Sequence, residues 1–133
     1  MISISKVIYN QMIGHAKKVY PSEACGILGG QTPEKIEVFF PMRNVDESSI
    51  SYFMDPKEQL GVFKKMRADG IQMNGIYHSH VSSVAFPSPK DVRLAFYPEV
   101  SYLIVSLSDM QKPVLRSFKI KDEEATEEEI KLV

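Results

Sequence analysis

Two short apolar runs, ACGILGG at residues 24–30 and YLIVSL at 102–107, do most to limit what this chain can fold into. Runs of that length, apolar throughout and bounded by glycine or turn residues, read as buried strands, the second as a central one. KIEVFFPMRN (35–44), ISYFM (50–54), MNGIYHSH (73–80) and VLRSFKI (114–120) read as further strands. Between them lie helical patterns. Ser5 opens one in which Ile8, Met12, Ala16 and Val19 recur at helical spacing until Pro21. Asp55, Pro56 and Glu58 stand at the N-cap, N1 and N3 of a second helix. Leu60, Phe63 and Met66 or Arg67 form its inward stripe, and Gly70 supplies its left-handed stop. PSPKD (87–91) opens a third helix that runs to about Phe96. The tail KDEEATEEEIKLV (121–133) reads as a solvated acidic surface or a frayed segment, with EIKLV as an alternative edge strand. Alternating helices and strands, with hairpin-like pairs at either end, predict an α/β or α+β domain with a mixed sheet flanked by helices. No linker or repeat divides the 133 residues, so a single domain over 1–133 is expected.

Composition excludes several classes of function. Net charge is −1 with no basic cluster, which argues against nucleic acid as a partner. A single cysteine, Cys25, precludes an intramolecular disulfide and fits a reducing compartment. MISISKVIYN lacks the pattern of a signal peptide, and no apolar run is long enough to span a bilayer, so a cytoplasmic protein is expected.

The chemistry concentrates in YHSHVSSVAFPSPKD (77–91). His78 and His80, two apart on a strand, project from one face, with Ser79 on the other. Two imidazoles so placed can share a metal ion, and Asp91, on the first turn of the next helix, is a candidate third ligand. Ser88, Pro89 and Asp91 also make an ordinary capping box, and paired histidines on a strand are often half-buried structural residues. The two readings are compatible, and neither segment alone chooses between them. An independent sign is Glu23, an acid directly before the buried strand in SEACGILGG (22–30). A zinc hydrolase needs such a carboxylate, not itself a ligand, to accept the proton of water.

The whole constellation resembles the JAMM, or MPN-plus, metalloproteases. Their pattern is an upstream Glu, then His-Ser/Thr-His, seven residues, Ser, two residues and Asp. Here it is Glu23, His78-Ser79-His80, Val81–Pro87, Ser88, Pro89-Lys90 and Asp91. NVDESSISYFMDPKEQ (44–59) and GIYHSH (75–80) also look like the small prokaryotic members, and the resemblance covers most of residues 1–120. It implies a cytidine-deaminase-like JAMM/MPN domain in which His78, His80 and Asp91 hold one Zn2+. Glu23 would be the general base, and Ser88 a hydrogen-bond donor to the oxyanion. The implied substrate is a ubiquitin-like or sulfur-carrier protein with a Gly-Gly C-terminal tail, cleaved at a peptide or isopeptide bond. Val81 stands where many prokaryotic members have proline, a departure that bears on the loop and removes no ligand. The rival readings are a non-catalytic scaffold or binding module, a deaminase and a structural zinc site. One cysteine argues against the last two. Cys25 is expected in the core, His15 on the surface, Ser82 and Ser83 in a loop, Tyr77 and Tyr97 in packing roles, and Met54, Met66 and Met73 in the core.

Overall fold

The computed structural model describes residues 1–133. Strand β1 (Ile2–Ile4) leads into helix α1 (Lys6–Val19). Strands β2 (Cys25–Gly30), β3 (Lys35–Ile36) and β4 (Val38–Met42) follow, then α2 (Pro56–Ala68) and β5 (Gln72–His80). A short α3 (Pro89–Arg93) precedes β6 (Ser101–Ser106), β7 (Val114–Lys121), β8 (Glu124–Glu128) and β9 (Ile130–Leu132). The main sheet has the order β4-β2-β5-β6-β7-β8, and a small sheet the order β3-β1-β9. In the main sheet only β5 and β6 run parallel. A parallel pair needs a crossover, and here the crossover carries α3. The mixed α+β architecture expected from the sequence is the one observed.

Local chemistry explains the helices. The Ser5 hydroxyl accepts the Ile8 N–H at 3.1 Å, and α1 buries Ile8, Met12 and Ala16. The Asp55 carboxylate accepts the N–H groups of Lys57 and Glu58 at 2.9 and 3.4 Å, with Pro56 at the first helical position. Glu58, at N3, does not reach back to close a capping box with Asp55, because its carboxylate accepts the Arg43 N–H at 2.7 Å instead. Of the expected inward stripe, Met66 is buried, Phe63 half-buried and Leu60 exposed. Gly70, at φ +68°, follows the helix in the left-handed region, as its identity suggests.

Both faces of the main sheet are covered. Tyr77, Leu103 and Val105 pack with α1 and with Ile2, Ile4 and Ile36 of the small sheet. On the opposite face, Tyr102, Ile104 and Phe118 pack with Ala85 and Val100, while Cys25 and Ile27 pack with Met42, Met54 and Met66. The glycines of β2 permit close approach. At Gly30 a Cβ would lie 2.0 Å from the Lys35 carbonyl oxygen.

Four expectations are corrected. Residues 35–44 form two strands in different sheets, not one. Residues 50–54 are not a strand: only an isolated bridge joins Met54 to Asn44, whose side-chain amide takes backbone groups of this loop. Helix α3 ends at Arg93 rather than near Phe96, in keeping with Pro98, which disfavours helical backbone at Tyr97. The acidic tail is neither frayed nor a loose surface. It supplies β8 at the edge of the main sheet and, within the EIKLV segment read as an alternative edge strand, β9 at the edge of the small sheet beside β1. The Glu128 carboxylate faces inward and accepts both the Ser101 and Ser117 hydroxyls, at 2.6 and 2.9 Å.

Between the histidines, Ser79 points to the α1 face and its hydroxyl accepts the buried Ala24 N–H at 2.8 Å. The Ser79 N–H in turn donates to the Ala24 carbonyl at 3.0 Å. This pair of bonds fixes the residue after Glu23 to the strand that carries both histidines. Removing a buried acceptor leaves its donor unpaired, so Ser79→Ala is expected to cost about 1–3 kcal/mol in urea unfolding. Glu128→Ala strands two serine hydroxyls and is expected to cost about 2–4 kcal/mol by the same measurement.

Candidate metal centre

β5 delivers His78 and His80 to the face covered by α2 and α3, and the loop after it returns the start of α3 to the same place. His78 Nε2 and His80 Nε2 lie 3.2 Å apart, and Asp91 Oδ2 lies 3.1 Å from the first and 3.0 Å from the second. Both rings are buried, and Asp91 is 14% exposed. The capping box is also real. The Asp91 carboxylate accepts the Ser88 N–H at 2.9 Å, and the Ser88 hydroxyl accepts the Asp91 N–H at 3.0 Å. Capping and convergence on the histidines are therefore performed by one carboxylate.

The donor set fits a cation. His80 Nδ1 lies 2.8 Å from the Val84 carbonyl oxygen, which can only accept, so Nδ1 carries a proton. A neutral His80 then presents the Nε2 lone pair toward His78 and Asp91. Lone pairs at these distances repel unless a proton or metal ion lies among them. The titration tendencies follow the same demand. Burial alone would lower the His80 pKa, but hydrogen bonds to Asp91 and Val84 and the charges of Asp91 and Glu23 raise it overall. Burial is the dominant cause that lowers the His78 pKa. Burial opposes ionisation of Asp91, yet hydrogen bonds from both histidines and the Ser88 N–H hold its carboxyl well below the usual range. Nitrogen and oxygen donors, two imidazoles and one carboxylate, suit zinc and leave further coordination positions open.

The chain holds the imidazoles by different means. The Val84 carbonyl orients His80, as hydrogen-bond partners of metal-binding histidines commonly do. His78 Nδ1 is buried without a hydrogen-bond partner. Its ring is flanked instead by Tyr52, stacked at 4.7 Å between centroids and 23° between planes. Tyr52, Phe53, Ile76, Leu94 and Phe96 line a cavity of about 210 Å³ that has Asp91 in its wall. The site thus opens onto an apolar recess.

Glu23 is 6% exposed at the end of the loop before β2. It is not among the three groups whose ligand atoms lie within 4.8 Å of one another, but it is near enough to feel the charges of His80 and Asp91. Burial pushes its carboxyl up to about 7, against the opposing pull of His80. A carboxyl that titrates there can both take and return a proton near neutrality.

The loop that carries Val81 is fastened without a proline at that position. Val84 bonds His80, the Ser83 carbonyl accepts the Ser106 hydroxyl at 2.7 Å, Ala85 is buried, and Phe86 lies edge-on to Phe118. Cys25 is buried as expected, with its thiol pushed up to about 12 by burial. Tyr77 is a core residue, while Tyr97 is 40% exposed. Met54 and Met66 are buried, and Met73 is half-buried against two core clusters. His15 departs from its expected surface position: half-buried, it packs against Phe39 and lies 3.3 Å from the Tyr77 hydroxyl. Three contributors carried no functional signal of their own in the sequence: Tyr52, the Val84 carbonyl and Asn44. Tyr52 and Asn44 lie in the 44–59 stretch that resembles the prokaryotic JAMM proteins, which is where a signal was to be found.

Known proteins supply the context. The family model described as prokaryotic homologs of the JAB domain matches residues 5–121. The chain is 40% identical over 128 residues to the CysO-cysteine peptidase of Mycobacterium tuberculosis, covering 95% of this chain and 87% of that protein. It is 30% identical over 111 residues to the desampylase of Haloferax volcanii, covering 79% and 80% of the two chains. The solution structure of protein DSY2949 from Desulfitobacterium hafniense superposes with a TM-score of 0.90 at 46% identity, covering all of this chain and 93% of that one. The family match over residues 5–121 and the 40% identity to a relative place the chain in the prokaryotic homologs of the JAB domain, the small prokaryotic branch of the JAMM/MPN family.

Proposed function

We propose that residues 1–133 form one zinc-dependent peptidase domain. Its proposed reaction is hydrolysis of a peptide or isopeptide bond at the C-terminus of a ubiquitin-like or sulfur-carrier protein with a Gly-Gly tail. The observation that carries the reading is the convergence of His78, His80 and Asp91 beside a buried glutamate that is not one of them. The substrate class is supported by relatives named CysO-cysteine peptidase, desampylase and probable TtuB-protein conjugate cleaving protease. A tail without side chains suits entry to a confined site. No helix is long and apolar enough to cross a membrane. We place the reaction in the cytoplasm.

His78 Nε2, His80 Nε2 and Asp91 Oδ2 would hold the zinc. When bound, it supplies Lewis acidity, lowering the pKa of a water from about 15.7 toward roughly 7 and polarising a carbonyl. Glu23 takes the proton of the attacking water and delivers it to the leaving amine. Its burial keeps its proton affinity high enough for the first step without making the second unfavourable. Ser88 already accepts the Asp91 N–H, so its own O–H is free to donate to the oxyanion that develops on the scissile carbonyl. The Ser88 hydroxyl bonds the Asp91 N–H rather than a general base, and no acyl-enzyme is expected.

The test is cleavage of a ubiquitin-like protein extended beyond its Gly-Gly by one residue, and of its lysine-linked conjugate, with and without chelator. Activity is expected to vanish with chelator and return with zinc. Glu23→Gln is expected to retain zinc and to lower kcat by about 10²–10⁴-fold. Ser88→Ala is expected to retain zinc and to lower kcat by about 10²-fold. Wild-type turnover in Glu23→Gln would contradict the proposed base, and absence of cleavage by the zinc-loaded chain would favour the scaffold reading.

A further inference from the structure

Asn44 lies buried between Glu23 and the loop that walls the cavity, and it belongs to none of the chemistry assigned above. Its amide is fully used. Nδ2 donates to the Glu23 carbonyl and to the Ser51 carbonyl, each at 3.0 Å. Oδ1 accepts the N–H of Asp46 and of Phe53, each at 3.0 Å. With two carbonyls on one end and two N–H groups on the other, only one orientation of the amide satisfies its neighbours. The bonds to Ser51 and Phe53 bracket Tyr52, whose ring stacks on His78. The same loop supplies the Ser48 carbonyl that accepts the Glu23 N–H at 2.7 Å. Beyond Glu23, Ala24 is already held by Ser79.

We infer that Asn44 is a positioning residue for the reaction: one side-chain amide fixes the backbone of Glu23 and, through Ser51 and Phe53, the ring that flanks His78. The inference rests on the reading of Glu23 as the base. A loop of this length has no sheet to hold it, since residues 50–54 make only the bridge between Met54 and Asn44. Asn44 takes the place of a ladder there. Misplacing a proton-carrying group by a fraction of an ångström slows turnover without removing any group that touches substrate.

Two substitutions separate this role from simple loop stability. Asn44→Ala deletes all four bonds. Asn44→Asp keeps an oxygen for the Asp46 and Phe53 N–H groups but turns a second oxygen toward the Glu23 and Ser51 carbonyls. The readouts are kcat and KM on the extended ubiquitin-like substrate, and amide hydrogen exchange with far-UV dichroism to show that each variant is folded. In Asn44→Ala, exchange protection of Asp46 and Phe53 is expected to be lost while that of Ile27 and Leu103 persists. In Asn44→Asp, protection at Asp46 and Phe53 is expected to remain. In both, kcat is expected to fall by at least about tenfold with KM changed by less than about threefold. Wild-type kcat in folded Asn44→Asp, or a rise in KM with kcat unchanged, would overturn the inference while leaving Glu23 as the base. An inactive zinc-loaded wild type, or Glu23→Gln with wild-type turnover, would remove the base and the inference with it.

Discussion

Three acceptor atoms, one from each of His78, His80 and Asp91, meet at the end of β5 with separations of 3.0–3.2 Å. The rest of the molecule is arranged around this crowding. Two imidazoles on one strand are brought together by the alternation of side chains, at no cost in chain entropy beyond forming the strand. The carboxylate must come from elsewhere. The parallel pairing of β5 with β6 provides it, because a parallel neighbour requires a crossover and α3 sits on that crossover. Ser88 and Asp91 then cap α3, and the Asp91 oxygen that accepts the Ser88 N–H also completes the trio.

The opposite side of β5 matters as much. Ser79, between the histidines in sequence, ties Ala24 to the strand, while Asn44 and Ser48 hold Glu23 from the loop side. The buried glutamate is thereby gripped along its backbone while its carboxyl is left in an environment that raises its pKa. Tyr52 forms both the wall of the cavity and the support of His78. The three converging groups, the buried glutamate and the recess are thus mechanically connected through short hydrogen-bonded paths rather than through separate elements.

Much of this was legible from residues alone. The period of two in HSH, the capping pattern SPKD and the acid before an apolar run each have a local physical signature, and the fold places all three together. The uniform apolarity of CGILGG and YLIVSL gave away strands buried on both faces. What was not legible depends on tertiary contacts. ISYFM has strand composition, yet Asn44 binds its backbone groups and no second strand lies beside it. EATEE looks too charged for a sheet, but an edge strand tolerates outward carboxylates, and Glu128 finds two buried hydroxyls. His15 has lysines for neighbours in sequence and aromatic rings for neighbours in space.

The central claim is that the three converging atoms are ligands of a metal ion. Its most direct test is zinc content and X-ray absorption at the zinc edge for the reconstituted protein, beside His78→Ala. About one zinc per chain, surrounded by nitrogen and oxygen donors with two imidazoles and lost in the variant, is the expected result. Failure to retain zinc after reconstitution, or a sulfur donor that places the ion at Cys25, would contradict it.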